Sequence, residues 1–96
     1  MLTPEDHIAG LTKMIAAHPG VKRIILFGSR ARGYASPRSD IDLAVDMNDD
    51  TAWRILDEQV EEYPTLLKID LVRLADSGGE FRQAILDTGK VLYEAA

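Results

Sequence analysis

Asp40 and Asp42 stand one residue apart in the stretch LFGSRARGYASPRSDIDLAV, residues 26–45, at the entry to a segment that otherwise reads as an apolar strand. In a strand, residues i and i+2 project to the same face, about 6.5–7 Å apart along the chain. Two carboxylates about 5 Å apart at an effective dielectric of about 20 repel by roughly 3 kcal/mol. A shared divalent cation offsets that repulsion, because its own charge dominates the local field. A third acid lies in a similar setting. In LLKIDLVRL, residues 66–74, Asp70 alternates with Ile69 and Leu71. If that strand lies beside the one carrying Asp42, then Asp40, Asp42 and Asp70 gather above one face of a sheet. Three hard oxygen donors without His or Cys favour Mg²⁺ or Mn²⁺ over Zn²⁺.

Gly28-Ser29 adds phosphate chemistry to the same stretch. Glycine permits close backbone approach, and Ser29 with the N–H groups that follow can hold phosphate oxygens. Arg30 and Arg32, inside the same stretch, are candidates for phosphate contact. No Gly-Lys-Ser/Thr follows, which argues against a P-loop NTPase. A lone Asp-x-Asp or a lone Gly-Ser is common on solvated surfaces. Their occurrence together, in this order and on these elements, is what points to a site.

The elements that position these residues are legible in outline. Thr3-Pro4-Glu5-Asp6 starts a helix, with Thr3 as N-cap and Pro4 at the first helical position. Ile8, Leu11 and Ile15 continue it at helical spacing, and His18-Pro19-Gly20 ends it. VKRIILF, residues 21–27, is a buried strand, and Ser29 to Gly33 a short helical turn. A loop with Pro37 leads to IDLAV, residues 41–45, the second strand. Asp46, Asp49 and Asp50 are placed to cap the next helix, whose stripe is Trp53, Leu56 and Val60. Leu66 to Leu74 is a third strand. Ser77-Gly78-Gly79-Glu80 has capping-box spacing before a last helix, with Phe81, Ala84, Ile85 and Leu86 facing inward and Gly89 closing it. The expectation is a single α/β (α+β) domain over residues 1–96: a three-stranded mixed sheet with helices packed on it, in the order α-β-α-β-α-β-α.

Composition bounds the function. A chain of 96 residues with 46% apolar and 28% charged residues is ordinary for one soluble domain. A net charge of −5 argues against a general polyanion binder, so nucleic acid is not the expected partner. Between His7 and Ser39 there are six Lys/Arg and no acid; from Asp40 onward there are fourteen acids and five bases. The basic and acidic parts meet at the candidate site. There is no cysteine, which removes disulfides and thiolate metal sites and fits a reducing cytoplasm. The first residues lack a basic and an apolar region of signal-peptide type, and no apolar run approaches the ~18 residues that span a bilayer. His7, His18, Tyr34 and Tyr93 read as surface or packing residues.

The run GSRARGYASPRSDIDLAV resembles the signature of the nucleotidyltransferase superfamily that includes DNA polymerase β and kanamycin nucleotidyltransferase. It is most similar to the minimal nucleotidyltransferases, one-domain members paired as antitoxins with small helical HEPN toxins. The resemblance implies the nucleotidyltransferase fold and the transfer of a nucleoside monophosphate, AMP from ATP, to an acceptor hydroxyl. It further implies that Asp40, Asp42 and Asp70 hold Mg²⁺ or Mn²⁺ and that Gly28, Ser29 and Arg30 hold the β/γ-phosphates. The implied acceptor is a tyrosine of the HEPN partner. No counterpart of the larger enzymes' substrate domain is read in the chain, which points away from an antibiotic or a nucleic-acid primer. The alternative is a non-catalytic antitoxin that neutralises its partner by covering it.

Overall fold

The computed structural model describes residues 2–96. The elements run α1 (Pro4–Ala16), β1 (Arg23–Phe27), α2 (Gly28–Arg32), β2 (Ile41–Asp46), α3 (Asp50–Glu61), β3 (Ile69–Arg73), a 3₁₀ turn (Leu74–Asp76), α4 (Gly79–Thr88) and β4 (Lys90–Glu94). The strands form one mixed sheet in the order β3-β2-β1-β4. β1 pairs antiparallel with both β2 and β4, whereas β2 and β3 run parallel, joined through α3.

The sheet therefore has four strands, one more than expected. β4 follows Gly89 directly, is an edge strand, and leaves Val91 52% exposed. Such a short strand shows no clean alternation of its own; its pairing with β1 makes it a strand. β1 and β2 lie within two residues of their expected bounds, whereas β3 begins at Ile69, three residues later than expected, because the chain bends at residues 66–67 before pairing begins.

Each face of the sheet carries its own core. On one side α1 and α3 bury Leu11, Ile15, Leu56 and Val60 against Ile24, Leu26, Ile41, Leu43 and Val45. Each such side chain contributes about 1.5–3 kcal/mol on burial. The opposite face is thinner: Ile25, Ala44, Leu74 and Ile85 form its core. Here the expectation for α4 needs correction. Ile85 is buried, but Phe81 is 46% and Leu86 38% exposed, and Ala84 is exposed as well. α4 meets the sheet through a narrow stripe, and its first turn stands over the end of β1.

Capping follows the sequence at two helices and departs from it at a third. Thr3 Oγ1 accepts from the Asp6 N–H at 3.1 Å while the Thr3 N–H donates to Asp6 Oδ2 at 2.9 Å, a complete capping box. Asp49 alone of the three expected acids caps α3, accepting from the Ala52 N–H at 2.9 Å. Asp46 instead pairs with Arg23 at 3.1 Å and Asp50 with Arg73 at 2.8 Å. The expected box at Ser77 does not form. The 3₁₀ turn moves the cap to Gly78, and Ser77 Oγ donates to the Arg73 carbonyl at 3.1 Å. No helix among the described residues is long and apolar enough to cross a membrane.

Candidate active site

The site is built where β1 ends and β2 begins. Gly28 turns the chain from β1 into α2 with φ +71°, a conformation only glycine adopts without strain. It also lies against Asp42: a Cβ added at Gly28 would strike Asp42 Oδ2. The two halves of the sequence motif are thus in contact across the hairpin.

Strand register sets the rest. Asp42 is paired with Phe27 on β1 and with Asp70 on β3. Directly paired residues project to the same face of a sheet. Phe27, Asp42 and Asp70 therefore form a row across three strands, on the thin-core face. Ile41 and Leu43 are fully buried on the other face, as the alternation requires. Asp40, half-buried, precedes β2 by one residue, and its charge reaches Asp42. Lys68 Nζ lies 3.6 Å from Asp70 Oδ1 at an exposed edge.

The electrostatics record the crowding. Burial pushes the Asp42 carboxyl up from its ordinary 3.8 to about 6, aided by the hydrogen-bonding capacity and charge of Asp70 and then by the charge of Asp40. Lys68 opposes the rise. Among the described residues no three His, Cys, Asp or Glu side chains converge in a metal-ligand cluster. The donor set, with all-oxygen ligands and an acid held above the carboxylate range by burial and then by its acidic neighbours, nonetheless has the chemistry of a site for a hard divalent cation.

Arg30 occupies a place the sequence did not indicate. Its Nε donates to the Ser39 carbonyl at 3.1 Å, and its Nη2 donates to the carbonyls of Ser39 at 2.6 Å, Pro37 at 3.2 Å and Ser36 at 3.4 Å. One guanidinium thus braces the loop that delivers Asp40. Ser36 and Ser39 close the same loop through a Ser36 N–H to Ser39 Oγ bond of 2.9 Å. We expect Arg30→Ala to cost roughly 2 kcal/mol, the scale of hydrogen bonds from a charged donor. It should also speed proteolytic cleavage between residues 33 and 40. Arg30→Lys, which lacks the planar fork, should rescue little. Thermal melts and limited proteolysis check this; unchanged cleavage would mean the loop stands without Arg30.

Phe27 is the residue whose place at the site sequence reasoning missed. It reads as a core aromatic, but its register beside Asp42 makes it the apolar neighbour of the carboxylate row. A cleft of about 560 Å³ between α3 and the edge strand β3, lined by Asp57, Glu61, Tyr63 and Asp70, opens on the α3 side of the sheet, away from the face that carries the row.

Solved structures share this arrangement of elements. A chain of a toxin–antitoxin complex with AMP-PNP is 28% identical at a TM-score of 0.69, covering 96% of this chain and 74% of that one. A chain of a substituted MntA–HpeT toxin–antitoxin complex is 26% identical at a TM-score of 0.66, covering 95% and 73%. A chain from the complex of a tri-AMPylated Shewanella oneidensis HEPN toxin with an MNT antitoxin is 25% identical at a TM-score of 0.56, covering 93% and 73%. No curated protein matches the chain. Residues 10–96, which take in the Gly28-Ser29 turn and all three aspartates, match the family model described as Polymerase beta, Nucleotidyltransferase, and the chain belongs to that family.

Proposed function

We propose that this protein transfers a nucleoside monophosphate, AMP from ATP, to a tyrosine hydroxyl of a HEPN-type partner protein, and so acts as an antitoxin. The observation that carries the reading is the close packing of Gly28 on Asp42, with Asp70 paired beside it. It joins a phosphate-binding turn to an acidic row in one site.

In this reading Gly28 and Ser29 hold the β- and γ-phosphates through backbone N–H groups and the serine hydroxyl. Arg30 supports that turn through the loop carbonyls it binds and adds positive charge to α2. Asp40 and Asp42 face the phosphate chain, and with Asp70 would hold Mg²⁺ or Mn²⁺. When bound, such ions neutralise charge on the attacking and leaving oxygens of an in-line displacement. Asp70 lies at the acceptor end and receives the hydroxyl proton as the tyrosine oxygen bonds to the α-phosphorus. The bond from that phosphorus to the bridging oxygen breaks, and pyrophosphate leaves towards Gly28-Ser29. The partner class comes from the relatives, which are toxin–antitoxin complexes, one with an AMPylated HEPN toxin.

The test is intact mass spectrometry of a co-expressed small helical partner encoded by a neighbouring gene. We expect a mass gain of AMP that needs ATP and a divalent cation and is lost with chelator. A tight complex with an unmodified partner would overturn the catalytic reading in favour of a binding antitoxin.

A further inference from the structure

The carboxylate row has an aromatic end, and that end is open. Phe27, paired with Asp42, carries Phe81 on its ring in an edge-to-face contact, centroids 5.7 Å apart at 82°. Phe81 belongs to the first turn of α4, yet is 46% exposed. Edge-to-face packing on Phe27 holds the ring in place without burying it. Gly78 and Gly79, just before it, carry no side chain that could cover the ring. The other large exposed apolar residues (Leu2, Tyr34, Ile55, Leu66, Leu86 and Val91) lie off this row. Exposing a phenylalanine has a cost in water, and at this position it places a flat apolar surface at the Phe27 end of the row, next to the residue paired with Asp42.

We infer that Phe81, held by Phe27, is the surface on which the base of the bound nucleotide stacks. The inference rests on the nucleotidyltransfer reading. In that reading the triphosphate lies on Gly28-Ser29, and Phe27, which carries Phe81, is the residue immediately before Gly28. The first turn of α4 is what stands over this end of the face. Stacking on an aromatic ring tolerates any base, because every base has a π-face. The site should accordingly discriminate weakly among nucleobases, with larger purines held more firmly than pyrimidines.

The experiment is calorimetric titration, with Mg²⁺ present, of a non-hydrolysable ATP analogue and of inorganic tripolyphosphate. Wild type is compared with Phe81→Ala, Phe81→Leu and Phe81→Tyr. Loss of the ring should weaken the analogue about tenfold in both the Ala and Leu variants. Tyrosine should restore it, and tripolyphosphate, which has no base, should bind all four proteins alike. Phe81→Leu keeps apolar bulk on Phe27, so a folded variant without the ring is available if alanine unsettles α4. Equal binding of the analogue by wild type and Phe81→Leu would overturn the inference while leaving the nucleotidyltransfer reading intact. Parallel loss of tripolyphosphate would overturn it by showing that Phe81 only supports the carboxylates. If wild type binds neither ligand, both the inference and the reading it rests on fail.

Discussion

Asp42→Asn is expected to abolish the proposed nucleotide transfer and to make the metal-free protein more stable at neutral pH. The first effect follows from its place at the centre of the row, between Phe27 and Asp70 and against Gly28. Charge stabilisation by a bound cation is worth several kcal/mol, and each 1.36 kcal/mol is tenfold in rate, so a loss of about 10³-fold or more is expected. The second effect follows from the pKa. In the folded protein Asp42 holds its proton up to about pH 6 rather than the ordinary 3.8. The folded state therefore binds more protons than the unfolded state between those values, and stability from this group falls as pH rises through them. Asn does not titrate. The variant should match wild type near pH 4 and exceed it by pH 7, in chelator, by roughly 1 kcal/mol once solvent screening of this partly exposed group is allowed for. For a domain of this size that is a melting difference of about 4–8 °C. Added Mg²⁺ should narrow the gap by stabilising wild type alone. Thermal melts across pH, with and without Mg²⁺, read it directly. A variant that still modifies its partner, or a gap that does not widen with pH, would contradict the placement of Asp42.

Gly28→Ala should remove activity and stability together. Alanine at φ +71° costs about 1–2 kcal/mol in backbone strain alone. Its Cβ would also strike Asp42 Oδ2, so either the carboxylate moves off the row or the β1–α2 turn opens. Overpacking of this kind typically adds about 1–3 kcal/mol. Gly33 supplies the control. Its φ of +85° is also left-handed, but a Cβ there meets nothing within 4 Å. Gly33→Ala should lose only the backbone term and keep transfer activity. If the two variants lose stability and activity equally, the contact with Asp42 has no special weight. Denaturant melts and partner-modification rates separate the outcomes.

Some of this architecture is local, and the rest is not. The parity of Asp40 and Asp42 against Ile41 and Leu43 follows from the two-residue period of a strand, so their shared face could be read from residues 40–43 alone. Thr3 and Asp6 cap α1 across three residues, and Gly28 marks the turn after β1, both within reach of neighbours in sequence. The pattern at Ser77 was misleading for an equally local reason. A 3₁₀ turn intervened, and the serine hydroxyl found the Arg73 carbonyl four residues back.

What the residues alone determined is which side chains share a face and where the chain turns, because strand and cap chemistry act over two to four positions. Tertiary structure decided that Asp70 stands opposite Asp42, that Arg30 grips the loop carbonyls, that residues 90–94 add a fourth strand, and that Phe81 stays open above Phe27. Each of those depends on register or packing between segments far apart in the chain, where burial and pairing outweigh local preference.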